Sequence, residues 1–282
     1  QLDAAVECYE KAIAIQPDYA EAHYNLGNAL KELGQWEDAV KSYEKALTLK
    51  PDYAKAHNNL GIALKELGQL DAAAESFEKA LAINPDYAEA LNNLGNAFNQ
   101  LGQLDAAVKC YEKAIAVNPD YAKAHNNLGI AFKQLGQLDE ALASYESAIA
   151  LDPELDLLLG FSLNTKMHLG IWDDYANQLN ELTNKVNNGK KALDPFTMIA
   201  LIDDPGIQKK TAEIYTDSSY PQNHFLPKIE RYPKHKKIRI GYFSADFRDH
   251  PVAYLTAELY EMHDRERFEI HAFSFGPDTE DE

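Results

Sequence analysis

The sequence predicts a mainly α fold: an α-solenoid followed by a partial α/β segment. Two observations predict the solenoid. Pro17, Pro51, Pro85, Pro119 and Pro153 recur every 34 residues, and Gly34, Gly68, Gly102 and Gly136 recur at the same spacing. A fixed period of this size marks a stack of like units. A third observation predicts the α/β segment. From Lys237 the helical period gives way to KIRIGYFS and then FEIHAFSFG, two β-branched and aromatic runs with the character of buried strands.

Residues 1–17 supply the second helix of a partial unit. Gln1 falls where a second helix begins, with no initiator Met, so the sequence reads as a piece of a longer chain. Four full units follow, 18–51, 52–85, 86–119 and 120–153. In each, Asp after Pro is expected to cap the first helix, Asp18 with Glu21 having the spacing of a capping box and Asp52 the same place. The first helix is expected to end at a left-handed glycine such as Gly68, and the second at Asn84-Pro85. Ala56, Leu60, Gly61 and Leu64 share one face of the first helix, and Ala73, Phe77 and Ala80 one face of the second. Gly61 has no side chain, so a neighbouring helix can approach closely there. One hairpin cannot bury these faces alone, so the units stack.

Past residue 153 the pattern decays without vanishing. Gly170 lies 34 after Gly136, and Trp172 takes the place of Trp36. Residues 154–188 therefore read as a degenerate, capping hairpin. Residues 189–236 read as a connector in which 195–201 and 207–215 form short helices, with an extended, proline-bearing stretch after them. Residues 237–282 read as strand, loop, helix from Pro251 to about His263, and strand. That is one βαβ unit, with parallel strands, and too small to be a domain.

Composition narrows the function. With 27 Lys and Arg against 45 Asp and Glu, the formal net charge is −18. That argues against nucleic acid or an anionic membrane as partner, both of which need a basic surface. Cys8 and Cys110 occupy one place in units three apart, too far for a disulfide, and no apolar run is long enough to span a bilayer. The chain reads as cytoplasmic. No Walker loop, G-x-G-x-x-G, C-x-x-C, H-E-x-x-H or G-x-S-x-G occurs, so hydrolase, kinase and metalloprotease readings have no support.

Three sets of residues are candidates for function. Asn25, Asn59, Asn93 and Asn127 precede the Leu-Gly pair of each unit, while their neighbours vary (Tyr24 against Asn58, Asn28 against Ile62). On a helical wheel Asn59 lies with Lys55, Asn58, Ile62 and Lys65, away from the packed face. Asn is a poorer helix former than Ala by roughly 0.5 kcal/mol, and it offers the donor and acceptor that a peptide backbone requires. If these side chains face only an open groove, replacing them with Ala should leave stability unchanged. His23, His57 and His125 recur at one position, with Leu91 in the remaining unit. They stand in different units, too far apart to share a metal, and read as packing residues with no metal site. Finally, His250 in SADFRDHP sits after the first strand and before a helix, where open α/β sheets bind ligands. A capping role is the plainer reading from position alone.

The spacing of Leu60-Gly61, Ala73, Phe77, Ala80 and Pro85 resembles the tetratricopeptide repeat over residues 1 to about 153. The resemblance implies a right-handed superhelix, with the four Asn in a row along its concave groove. Residues 237–282, and IRIGYFSADFRDHP in particular, resemble the start of the catalytic region of protein O-GlcNAc transferases, a GT-B fold, in a prokaryotic-type member. The family's His at this motif carries over to His250, beside the sugar donor and acceptor and considered as a base. Its peptide-binding Asn ladder carries over to Asn25, Asn59, Asn93 and Asn127. The resemblance implies transfer of GlcNAc from UDP-GlcNAc to Ser or Thr of proteins, no cofactor, and acceptor proteins or peptides as partners in the groove. It implies that the second GT-B lobe lies outside this sequence, which alone is then inactive. The family has a second His four residues on, where this chain has Tyr254. That departure keeps the related protein O-fucosyltransferases open as an alternative, beside a non-catalytic tetratricopeptide scaffold.

Overall fold

The computed structural model describes residues 2–219, 237–244, 264 and 266–274. The chain divides into two compact units, Gln1–Gln222 and Asn223–Glu282.

The first unit opens on helix α1 (Leu2–Ile15) and continues as four helical hairpins: α2 (Ala20–Glu32) with α3 (Trp36–Leu49), α4 (Ala54–Glu66) with α5 (Leu70–Ile83), α6 (Ala88–Gln100) with α7 (Leu104–Val117), and α8 (Ala122–Gln134) with α9 (Leu138–Leu151). Each first helix ends as the glycine period predicts. Gly68 has φ +75°, Gln69 N–H donates to Leu64 O at 2.9 Å, and Gly68 N–H donates to Lys65 O at 2.9 Å. This pair of bonds satisfies carbonyls that a helix end otherwise leaves bare. It recurs after α2, α6 and α8.

The glycine of the packed face has a different task. A Cβ on Gly27, Gly61, Gly95 or Gly129 would stand 2.5–2.6 Å from the ring of Tyr43, Phe77, Tyr111 or Tyr145. Each ring is almost wholly buried, so its edge rests directly on the backbone of its partner helix. Leu30, Tyr43, Leu60, Leu64, Phe77 and Leu94 belong to one continuous core cluster running through several hairpins.

The expected aspartate caps do not form. The N-cap positions are Tyr19, Tyr53, Tyr87 and Tyr121, none with a side-chain cap bond. Asp18 and Asp52 stand one residue too early to reach the first helical N–H groups. Glu21 turns instead to Lys50 at the end of α3, 3.3 Å away. The turn is tied from within the helix. The Nε2 atoms of His23, His57 and His125 lie 3.0 Å from the carbonyl oxygens of Pro17, Pro51 and Pro119. The recurrent histidines are thus packing residues that hold the proline turn against the helix.

First helices of successive hairpins touch one another, α2 with α4, α4 with α6 and α6 with α8, more than second helices do. The array therefore bends with the first helices inside.

The period persists into α10 (Leu158–Leu169) and α11 (Tyr175–Asn187). Gly170 has φ +70°, and Ile171 N–H donates to Lys166 O at 2.9 Å. Trp172 does not repeat Trp36: it is 58% exposed and stands edge-on to Tyr175 before α11 begins. Residues 189–219 do more than connect. α12 (Pro195–Leu201) and α13 (Pro205–Ser219) share a core with α10 and α11, formed by Leu163, Leu182, Val186, Leu193, Met198 and Leu201. The start of α10 is capped by the chain before α12. Leu157 N–H donates to Lys191 O at 2.8 Å and Gly160 N–H to Ala192 O at 3.2 Å. A Cβ on Gly160 would collide with Leu193. Asp194 caps α12, its Oδ1 accepting from Thr197 N–H at 2.9 Å.

In the second unit β1 (Ile238–Ser244) and β2 (Phe268–Ser274) pair in parallel, from Ile238↔Phe268 to Ser244↔Ser274. Glu266 N–H donates to Asp264 Oδ1 at 2.9 Å in the turn that leads into β2. The predicted helix from Pro251 and the loop that holds His250 lie outside the described residues.

Candidate functional site

The inner face of the array is built from one row of residues per first helix. Asn25, Asn59, Asn93 and Asn127 all lie there, half-buried. Asn59 Nδ2 donates to Asn28 Oδ1 at 2.8 Å and to Tyr24 Oη at 3.2 Å. Asn93 Nδ2 donates to Asn58 Oδ1 at 3.0 Å. Asn127 Nδ2 donates to Asn92 Oδ1 at 2.9 Å and to Asn96 Oδ1 at 3.0 Å. Every one of these bonds joins a first helix to the first helix of the preceding unit. Asn25 has no side-chain bond among the described residues.

This changes the expectation drawn from the helical wheel. The amide nitrogens of three ladder residues are engaged between units, and Asn58 and Asn92, each 4% exposed, are not on a free face. What the ladder leaves without an internal partner among the described residues is two of its oxygens. Asn93 Oδ1 and Asn127 Oδ1 accept nothing among the described residues, while Asn59 Oδ1 accepts from Asn58 Nδ2 at 3.2 Å. Engaging the donor fixes the side-chain rotamer, so the acceptor is presented in a set direction.

Sequence reasoning missed the residues that complete the row. Tyr43 and Tyr111, seated on their glycines, pass their hydroxyls to the inner side, donating to Asn28 Oδ1 at 2.9 Å and to Asn96 Oδ1 at 2.8 Å. The signal was present: the second helix carries Tyr, Phe, Tyr where the first carries Asn28, Ile62, Asn96. The next unit breaks the match, pairing Tyr145 with Ile130, and Tyr145 Oη is buried without a partner among the described residues. Between α6 and α8 the face opens into a cavity of about 210 Å³ lined by Lys65, Asn96, Asn99, Gln100, Asn127 and Ile130, with Tyr111 behind them.

The ladder stops at Phe161, which stands where the next Asn would fall. Asn126 Oδ1, which that residue would have engaged, is buried and unpaired among the described residues. Lys133 Nζ lies over the Phe161 ring, 6.0 Å from its centroid, and donates to Asn164 Oδ1 at 2.6 Å. Burial lowers the Lys133 pKa, and the charge of Asp194 opposes this.

Among the described residues no group of three His, Cys, Asp or Glu is placed to hold a metal, and no helix is long and apolar enough to cross a membrane. Cys8 is exposed and Cys110 buried, both unpaired.

Comparison with known proteins agrees with the two-part architecture. Families described as "TPR repeat" and "Tetratricopeptide repeat" match from residue 1 to 136 and from 122 to 155, and "Glycosyl transferase family 41" matches residues 217–282. The Arabidopsis thaliana protein named "Probable UDP-N-acetylglucosamine--peptide N-acetylglucosaminyltransferase SEC" is 39% identical over 54 residues, 18% of this chain and 6% of that protein's own length. Among solved structures, PilW, a type IV pilus biogenesis factor, aligns with a TM-score of 0.61 at 22% identity over 68% of this chain and 89% of its own. MamA aligns at 30% identity and a TM-score of 0.52, covering 54% of this chain and 89% of its own. YrrB, a tetratricopeptide-repeat protein described as having an unusual peptide-binding site, aligns at 22% identity and a TM-score of 0.53, over 74% and 99%. In carrying tetratricopeptide repeats followed by a glycosyl transferase family 41 region, the chain is similar to protein O-GlcNAc transferases.

Proposed function

We propose that this chain is the acceptor-binding repeat region and the first part of the catalytic region of a protein O-glycosyltransferase that moves GlcNAc from UDP-GlcNAc to Ser or Thr of proteins. The observation that carries the reading is the joining, in one chain, of a polar inner groove with a glycosyl transferase family 41 segment. The groove meets a main requirement of such an enzyme. Acceptors of differing sequence share only their backbone, and amide oxygens set by inter-unit bonds take backbone N–H groups with little regard to side chains. Of the four ladder residues, Asn93 and Asn127 hold an oxygen unshared among the described residues and are the strongest contacts in this role; Asn59 and Asn25 extend the row.

Transfer to a hydroxyl with inversion needs a group to take the proton from the acceptor oxygen as it attacks the sugar carbon. His250 has that role in this proposal, and the nucleotide sugar would be held largely by residues of a second lobe. A scaffold that binds polypeptide without catalysis is the runner-up, since the groove serves it equally well.

The test is a transfer assay on a protein in which this sequence continues into a full glycosyltransferase region. It is incubated with labelled UDP-GlcNAc, or with a labelled fucose donor, and a mixed protein lysate. Label on Ser or Thr from UDP-GlcNAc is the expected result. Label from the fucose donor alone would move the assignment to the related O-fucosyltransferases, and label from neither would leave the scaffold. The present chain by itself is expected to transfer nothing.

A further inference from the structure

The charge of the repeat array is sorted between its two rows of helices. The second helices α3, α5, α7 and α9 carry 11 Asp and Glu against 5 Lys, whereas the first helices α2, α4, α6 and α8 carry 4 Glu against 5 Lys. A chain of net charge −18 therefore has an inner face that is not acidic. At physiological ionic strength the Debye length is about 8 Å, so a ligand in the groove responds mainly to the groove's own charges.

The sorting sharpens along the array. One inner column reads Lys31, Lys65, Asn99, Lys133, and the column next to it Glu32, Glu66, Gln100, Gln134. Lys31 and Lys65 are matched by the carboxylates beside them, at 3.2 Å from Glu32 and 2.7 Å from Glu66. At the α8 end the carboxylates are gone: α8 holds Lys123 and Lys133 and no acidic residue. Lys133 makes no ion pair among the described residues. Its neighbour Asp194 is already committed to capping α12. Keeping an ammonium half-buried without a carboxylate costs stability. Two of the three buried polar side-chain atoms lacking a partner among the described residues, Asn126 Oδ1 and Tyr145 Oη, belong to this last full unit, on α8 and α9. An ammonium held at the groove without a carboxylate partner among the described residues favours an anionic group on whatever binds there.

We infer that the end of the groove formed by α8 and α10 anchors an acidic segment of the bound polypeptide, with Lys133 taking its carboxylate. The inference rests on the groove-binding reading above and adds to it a preference among acceptors. Asn93 and Asn127 hold the backbone without regard to sequence, and Lys133 then favours polypeptides that carry Asp or Glu where the ladder ends at Phe161. The occupant is a polypeptide rather than a free anion, because the cationic end continues a row of amide oxygens, which an anion alone would avoid.

The experiment titrates the full chain with three fluorescein-labelled peptides built on the same Ser, Thr, Ala and Val sequence, one carrying aspartates, one carrying lysines and one neither. The aspartate peptide is expected to bind more tightly than the neutral one by about two- to fivefold, the scale of one partly exposed ion pair. Lys133→Gln, which can keep the hydrogen bond to Asn164, should bring that ratio to near one, and Lys133→Arg should keep it. Circular dichroism melts of both variants check that the array is intact. Equal binding of the aspartate and neutral peptides would overturn the inference and leave the groove reading standing. Tighter binding of the lysine peptide, or an aspartate preference that Lys133→Gln does not reduce, would also overturn it. Binding of no peptide would overturn both.

Discussion

The inter-unit ladder makes a prediction with a control inside the same molecule. Asn127→Ala removes two hydrogen bonds, at 2.9 and 3.0 Å, from Asn92 Oδ1 and Asn96 Oδ1. Asn96 Oδ1 keeps the Tyr111 hydroxyl. Asn92, 4% exposed, loses the partner of its carbonyl oxygen. Each bond contributes about 0.5–1.5 kcal/mol net, and Ala returns roughly 0.5 kcal/mol as the better helix former. The expected loss is therefore about 0.5–2.5 kcal/mol. Asn25 holds the same place in its helix but makes no such bond among the described residues, so Asn25→Ala should cost nothing or stabilise by a few tenths of a kcal/mol. Urea unfolding of the two variants and the parent, followed by far-UV circular dichroism, measures the difference directly. Equal midpoints for the two variants would show that the bonds across units contribute nothing, and the account of what fixes the ladder would fail.

Tyr145→Phe should be neutral or stabilising by up to about 1 kcal/mol, because it removes a buried hydroxyl with no partner among the described residues. Tyr111→Phe, which breaks the 2.8 Å bond to Asn96, should lower stability by about 1 kcal/mol in the same denaturation assay. Gly61→Ala places a Cβ 2.6 Å from the Phe77 ring and should destabilise by about 1–3 kcal/mol through overpacking; a melting temperature equal to the parent's would count against the close glycine–ring contact. In a protein with a full catalytic region, His250→Ala should lower transfer by at least about 100-fold while leaving the melting temperature in place. Near-normal turnover would reduce His250 to a capping residue.

What the sequence determined by itself is whatever depends on a few neighbouring residues or on the fixed period. The left-handed glycines, the close helix approach at Gly61, the helix at Pro195–Leu201 and the two strands were all legible, because each follows from local backbone preference or from a face repeated every turn. The period alone also carried Gly170 into the correct helix end. The tertiary structure decided everything that needed the distance between units. Asn59, Asn93 and Asn127 share a helix face with solvent-directed residues, yet their nitrogens bond side chains 31 to 35 positions earlier, an alignment set by how successive hairpins rotate against each other. The aspartate caps failed for a reason of the same kind, since the proline turn placed Tyr19 and Tyr53 at the N-cap and left histidines to tie the turn. The packing of residues 189–219 against α10 was hidden because it runs through backbone carbonyls at Lys191 and Ala192, and a carbonyl leaves no mark in a sequence. The sorting of charge was written in the residues all along. It became a property of a groove only when the bend of the array put one row of helices inside.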